Sequence, residues 1–199
     1  MRLNRGVRMK TLIINGSPRK NGDSITLVNE MTKFLEGEVK IVNTYYDNIS
    51  GCIDCRYCWK NPGCSINDGM QEIYKFLDDA DNIIISSPIY FSELTGSLLN
   101  FASRLQTLYA AKRERNDNEF SLKKKNGVLI ISAGGESMNL EARTLETANI
   151  IFNHMNTKSI GTVYTLQTDD IPAKENINAL NKAREFALEL NRLCIGSDV

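Results

Sequence analysis

A doubly wound parallel α/β sheet is the architecture this sequence predicts, and three observations carry that reading. Short apolar runs at 12–14, 83–85 and 128–131 lack the polar alternation of a half-exposed strand, as strands buried on both faces do. Segments with apolar residues at helical spacing separate them, so strands and helices alternate along the chain. Loops of small or aromatic residues follow the first, third and fourth strands, and in such a sheet ligands bind beyond the carboxyl ends of the strands, where strand order reverses.

The first strand lies in KTLIIN and leads through GSPRKNGDS into a helix marked by Leu27, Val28, Met31, Phe34 and Leu35. Gly37 stops that helix, and Val39, Ile41 and Val42 make a second strand, mixed enough in polarity to lie at an edge. Residues 47–67 form a loop rich in cysteine. Asp68 and Gln71 have the spacing of a capping box, and Met70, Ile73, Phe76, Leu77 and Ala80 give the next helix one apolar face. The third strand, Ile83 to Ile85, runs into SSPIYFSELTGS, where Pro88 ends the pairing. Thr95 or Ser97 then starts a helix through Leu98, Leu99, Phe101 and Leu105. Residues 112–126 read as a solvated excursion, with Glu114, Asp117 and Glu119 interleaved among the cations. The fourth strand ends in Ser132, Ala133, Gly134 and Gly135. A helix from about Asn139 to Asn153, a strand around 160–164 and a helix from about Ala173 to Cys194 complete five pairs.

Composition narrows the class. The 199 residues suit one domain over 9–199, with residues 1–8 an extension, because Met9 directly precedes the first strand. Lysine plus arginine number 24, as do aspartate plus glutamate, so no net field recommends nucleic acid or an anionic membrane as partner. No apolar run approaches a membrane span, and MRLNRGVR lacks the apolar core of a signal peptide, which predicts a cytoplasmic protein.

In the first loop, Gly16 and Gly22 permit close backbone approach, and Ser17, Arg19, Lys20, Ser24 and Thr26 supply donors for an anion at the helix N-terminus. The spacing is not that of a Walker A loop. Gly16 and Gly22 enclose five residues instead of four, and Asp23 stands in the lysine position. The dinucleotide fingerprint G-x-G-x-x-G is missing too. An ordinary polar turn capping a helix is the alternative. The single histidine, His154, closes the fourth helix, where it interacts favourably with the helix C-terminus, and no Ser-His-Asp set supports hydrolysis.

Four of the five cysteines, Cys52, Cys55, Cys58 and Cys64, have the spacing C-x2-C-x2-C-x5-C, which in a cytoplasmic chain points to metal or redox chemistry more than to a disulfide scaffold. Such compact spacing suits a cubane iron-sulfur cluster. Structural zinc, which more often uses two separated pairs, and an unligated oxidisable loop are the alternatives. Cys194 in the terminal helix reads as a packing residue.

Taken together, Gly16 to Ser24, Ser87-Pro88-Ile89-Tyr90-Phe91 and Cys52-Ile53-Asp54-Cys55-Arg56-Tyr57-Cys58 resemble the flavodoxin-like NAD(P)H-dependent FMN reductases, and more narrowly the iron-sulfur flavoproteins of that superfamily. The resemblance covers roughly residues 9–165 and implies a sheet of order 2-1-3-4-5, helices on both faces and FMN at the switch point. It implies Ser17, Arg19, Gly22, Asp23 and Ser24 around the FMN phosphate. Pro88, Ile89, Tyr90 and Phe91 would lie along one side of the isoalloxazine, with Ala133, Gly134 and Gly135 bordering the ring. Asp23 departs from the asparagine commoner in the family, and its carboxylate is expected to turn from the phosphate and cap the helix. Cys52, Cys55, Cys58 and Cys64 would hold a [4Fe-4S] cluster. The implied function is an FMN-dependent oxidoreductase that takes hydride from NADH or NADPH at flavin N5 and passes electrons to a quinone, a flavin, another small acceptor or a redox protein. The cofactor then carries the chemistry, with no catalytic acid or base. A homodimer or homotetramer is expected on the same ground. A non-enzymatic electron carrier is the alternative, against which the balanced charge argues.

Overall fold

The structure, a computed structural model, describes residues 9–117, 121–135 and 140–195. Its strands are β1 (Lys10–Asn15), β2 (Glu38–Asn43), β3 (Asn82–Pro88), β4 (Lys125–Ser132) and β5 (Thr157–Thr165). The helices are α1 (Asp23–Thr32), α2 (Tyr57–Lys60), α3 (Met70–Asp79), α4 (Gly96–Ser103), α5 (Gln106–Arg113), α6 (Leu140–His154) and α7 (Ile177–Ile195). All the strand pairs are parallel, in the flavodoxin-like order β2-β1-β3-β4-β5, with β2 at an edge. The chain steps outward from β1 to β2 and returns across β1 to begin β3. Strand order therefore reverses between β1 and β3, and a crevice opens at their carboxyl ends.

Side-chain alternation explains why the central strands read as unbroken apolar runs. Leu12, Ile14, Ile83, Ile85, Leu129 and Ile131 pack with Leu77, Leu98, Phe101 and Phe152 on one face. Ile13, Ile84, Val128 and Ile130 pack with Leu27, Met31, Ala183 and Leu190 on the other. Each residue is buried whichever way it points, at about 1.5–3 kcal/mol for a large aliphatic side chain.

The structure departs from the sequence reading in the segment before β4. The single helix expected from Thr95 or Ser97 is two, α4 and α5, and Arg104 lies at the break. Its carbonyl accepts the Tyr74 hydroxyl at 2.8 Å and its guanidinium turns inward to Asp68. The polar stretch 112–126 is not wholly solvated. Lys112 and Arg113 finish α5, and Lys125, only 2% exposed, opens β4 with its Nζ on the Lys123 carbonyl at 2.7 Å. The last helix starts at Ile177, not Ala173, because Asn176 caps it: Asn176 Oδ1 accepts Ala179 N at 3.1 Å. His154 ends α6 as expected, its Nδ1 2.9 Å from the Ile150 carbonyl. The extension expected over 1–8, Glu119 and Asn139 lie outside the described residues. Among the described residues no helix is long and apolar enough to cross a membrane.

Candidate functional site

The turn after β1 is shaped by its last residue. Buried Asn15 accepts Ser17 N at 3.3 Å through Oδ1 and donates through Nδ2 to Asn43 Oδ1 at 2.9 Å. Gly16 N donates to Ser86 O at 2.7 Å, and Thr95 Oγ1 donates to Gly16 O at 2.8 Å, so β3 and the start of α4 both close on this loop. A Cβ at Gly16 would stand 2.8 Å from Leu98 Cδ1 and Thr95 Oγ1, which is why the position is glycine. Ser17 Oγ accepts Arg19 N at 3.2 Å, and the Tyr46 hydroxyl donates to the Pro18 carbonyl.

Gly22 is the N-cap of α1, so no side chain caps this helix and its first-turn amides remain available at the cleft wall, an arrangement suited to an anion. Several of the side-chain donors expected there already have partners. Thr26 Oγ1 donates to Gly22 O at 3.0 Å, and Lys20 sits over the Tyr46 ring at 4.9 Å. Ser24 Oγ pairs with Ser132 Oγ at 2.6 Å, both buried, tying α1 to the end of β4. Asp23 does turn, but it does not cap α1. Its Oδ1 accepts Ala173 N at 2.8 Å, because as the first helical residue it is aimed across the sheet edge at the β5–α7 loop.

These groups open on a cleft of ≈ 600 Å³ counting its mouth. Ten residues named from the sequence line it: Ser17, Arg19, Gly22, Asp23, Ser24, Pro88, Ile89, Tyr90, Ala133 and Gly134. Phe91 and Gly135 stand outside the lining. Phe91 is fully exposed because Tyr90 to Glu93 form a tight turn whose two central residues, Phe91 (φ 51) and Ser92 (φ 64), are left-handed. That backbone costs about 1–2 kcal/mol per non-glycine residue. Glu93 holds it, accepting Leu94 N through Oε1 and Thr147 Oγ1 of α6 through Oε2, both at 2.8 Å.

Pro18, Ser132, Thr168 and Asp169 also line the cleft and were not foreseen. Thr168 N donates to Ala133 O at 3.0 Å, and a Cβ on Gly134 would meet Asp169 Oδ2 at 2.5 Å. The carboxyl-edge rule that flagged the other loops applies equally to the loop after β5, and was the available signal.

A second cleft, ≈ 380 Å³ counting its mouth but only ≈ 20 Å³ within, is lined by all four clustered cysteines with Arg104 and Trp59 among its other walls. The thiols are free, and among the described residues no three His, Cys, Asp or Glu side chains stand in metal-holding geometry. The loop between them is bent at three points. Asp54 (φ 49) lies between Cys52 and Cys55, Arg56 (φ 56) between Cys55 and Cys58, and Gly63 (φ 81) directly before Cys64. Left-handed residues at these points change the direction of the chain between cysteines that line one cleft. The short helix α2, unforeseen, carries Cys58 and Trp59, with the Arg56 guanidinium 4.8 Å above the indole. A soft set of four sulfurs in that spacing fits a thiolate-ligated iron-sulfur centre.

The frame around this loop is polar, and the ion pair at its base is buried. Cys52 N donates to Ser103 Oγ at 2.9 Å, and Arg115 donates to the Cys58 carbonyl. Gln71 does not complete the capping box. Its Nε2 donates instead to the carbonyls of Cys64 at 3.0 Å and Ile66 at 2.7 Å, satisfying acceptors of the preceding loop. Asp68 accepts Met70 N at 3.1 Å and Ser50 N at 2.9 Å and pairs with Arg104 at 2.7 Å, with side chains 4% and 0% exposed. Burial pushes the Asp68 carboxyl up, but Arg104 and the two amides outweigh it and hold it below its ordinary value. Hydrogen bonds from Ser65 and the Tyr57 backbone lower the Cys55 thiol, whereas burial pushes Cys58 up.

The sheet order, and clefts at its carboxyl edge, define a flavodoxin-like protein, and solved structures share that fold. An NAD(P)H:quinone oxidoreductase from Methanothermobacter marburgensis superposes with TM-score 0.69 at 16% identity, over 92% of this chain and 96% of that one. An FMN-dependent NADH-azoreductase from Bacillus anthracis, solved with FMN, gives TM-score 0.63 at 17% identity, over 92% and 99%. The chain belongs to the NADPH-dependent FMN reductase family, whose model matches residues 9–169. An iron-sulfur flavoprotein of Methanocaldococcus jannaschii is 33% identical over 54% of this chain and 58% of its own length. One of Methanosarcina thermophila is 28% identical over 70% of each. The chain thus spans between half and three fifths of the length of the first curated relatives it matches.

Proposed function

We propose that this protein is an FMN-dependent oxidoreductase that accepts hydride from NADH or NADPH and passes electrons to a small acceptor such as a quinone or a free flavin. The observation that carries the reading is one cleft at the switch point combining an uncapped helix N-terminus with a Pro-Ile-Tyr wall. The amides opening α1, with Ser17 and Arg19, would hold the FMN phosphate. Pro88, Ile89 and Tyr90 would flank the ring, with Ala133 and Gly134 bordering it. FMN supplies the hydride-accepting centre, so these residues bind and orient, and none need act as acid or base.

The same reading gives Cys52, Cys55, Cys58 and Cys64 a [4Fe-4S] cluster, supported by the cleft they share. Helix α4 connects the two places, with Thr95 on Gly16 O before its first residue and Ser103 on Cys52 N at its last. Its eight residues span about 12 Å. A cytoplasmic setting suits such thiols. The exposed Phe91 ring favours a homodimer or homotetramer, and light scattering that finds only monomer at micromolar concentration would contradict it.

Anaerobic mixing of FMN-loaded protein with NADH and with NADPH tests the enzyme reading, which predicts bleaching of the flavin by at least one. Bound FMN left oxidised by both would leave an electron carrier in its place. Iron and sulfide analysis after anaerobic purification tests the cluster, and iron-free protein after reconstitution would remove it.

A further inference from the structure

An arginine side chain has five N–H donors, and those on the two terminal nitrogens of Arg104 find acceptors. Nη1 donates to Ser50 O at 3.0 Å and Asp68 Oδ2 at 2.7 Å, and Nη2 to Ile66 O at 3.3 Å and Asp68 Oδ1 at 3.2 Å. The Nε–H has no partner. Among the described residues it is the one buried side-chain nitrogen or oxygen so left, on a residue only 1% exposed. A buried donor without an acceptor costs about 1–3 kcal/mol and calls for an explanation. Arg104 lines the cleft shared by the four cysteines, which offers one.

We propose that Arg104 Nε–H is the hydrogen-bond donor to a sulfur of the cluster held by Cys52, Cys55, Cys58 and Cys64, and that this bond raises the cluster's reduction potential. The proposal rests on the cluster reading above. Adding one electron to a cluster increases the negative charge on its sulfurs, so a fixed donor stabilises the reduced form more than the oxidised one. Asp68 neutralises the guanidinium at 2.7 Å, which leaves the hydrogen bond, not net charge, as the main lever. The fork held by Asp68, Ser50 and Ile66 fixes the plane of the group, so Nε–H is held in one orientation. The other arginine in the lining, Arg56, is largely exposed and stacks on Trp59.

The test uses full-length protein, reconstituted anaerobically with iron and sulfide and titrated potentiometrically with EPR detection. Arg104→Lys keeps a positive charge for Asp68 but has no Nε–H. Iron and sulfide content is expected to hold while the oxidised-to-reduced ratio at a fixed potential rises about tenfold, a fall of about 59 mV for a one-electron couple. A fully loaded Arg104→Lys variant with an unchanged midpoint would overturn the proposal while leaving the cluster standing. Should that variant not fold, wild-type protein labelled with 15N-arginine serves. Pulsed EPR of its reduced cluster is expected to show an arginine nitrogen coupling that persists in Arg56→Lys and Arg115→Lys, and its absence would overturn the proposal equally. Wild-type protein that takes up neither iron nor sulfide would instead remove the cluster itself, a result distinct from both.

Discussion

Asp23→Asn takes one negative charge out of the end of the cleft proposed for the FMN phosphate and keeps the side-chain oxygen that receives Ala173 N–H at 2.8 Å. A hydrogen bond to a charged acceptor contributes about 1.5–3 kcal/mol and one to a neutral acceptor about 0.5–1.5, so the stability loss is about 1 kcal/mol. In a chain of this size that lowers Tm by about 2–4 °C. The ligand feels the opposite effect. A carboxylate about 7 Å from a phosphate charge, at an effective dielectric constant of about 40, is repelled by about 1.2 kcal/mol. FMN is therefore expected to bind about tenfold more tightly to Asp23→Asn at low salt, with the gain shrinking as salt is raised. Quenching of flavin fluorescence measures both constants. Riboflavin, which has the ring but no phosphate, is the internal control and should bind parent and variant alike. FMN affinity that is unchanged or weaker, or a riboflavin affinity that rises in step, would refute the placement of the phosphate beside α1.

Asp68→Ala strands the buried Arg104 cation and is expected to cost about 3–5 kcal/mol in urea unfolding; a loss under about 1 kcal/mol would contradict the pairing. Gly16→Ala drives a methyl group against Leu98 and Thr95, and is expected to lose about 1–3 kcal/mol and to release FMN more readily in dialysis, whereas parent-like retention would count against the close approach of α4. Burial lowers the Lys125 ammonium to about 8 from 10.5. Below about pH 8 both folded and unfolded chains carry that proton and the fold bears the whole burial cost. Between about 8 and 10.5 the unfolded chain binds more protons, so this group makes stability rise with pH, on the order of 3 kcal/mol in all. Lys125→Met should accordingly be more stable than the parent at pH 7 by an amount that shrinks toward pH 10.5, and a difference constant across guanidinium melts at these pH values would contradict the argument.

Features set by local patterning could be read from the sequence. Ile83 to Ile85 and Val128 to Ile131 announce strands because every residue is apolar, and their burial on both faces follows. The small-residue loops could be found because the carboxyl edge of such a sheet is where ligands go, and ten of the twelve residues that the family resemblance named in them share one cleft. Long-range pairing was not visible. Arg104 looks like an ordinary surface cation in a helical run until Asp68, 36 residues earlier, is folded against it, and the break between α4 and α5 lies at that residue. Gln71 has the spacing of a cap and serves instead two carbonyls of the preceding loop. Phe91 has the composition of a ring-stacking residue, and only the backbone of its turn decides that it points outward.

Asp68 and Arg104 together hold Ser50 and Ile66, the two ends of the segment that contains the four cysteines. Closing a loop of about 15 residues costs about 2.4 kcal/mol in chain entropy beyond a constant. Here the carboxylate–guanidinium pair meets that cost from within the protein, before any sulfur is ligated. Loading the loop with the proposed centre would then have to order only the residues inside a closed ring, and unloading it would not reopen the ring. The sheet and the cleft at its switch point would thereby be insulated from gain or loss of the proposed centre, and loading or unloading at one end of α4 would not require unfolding at the other.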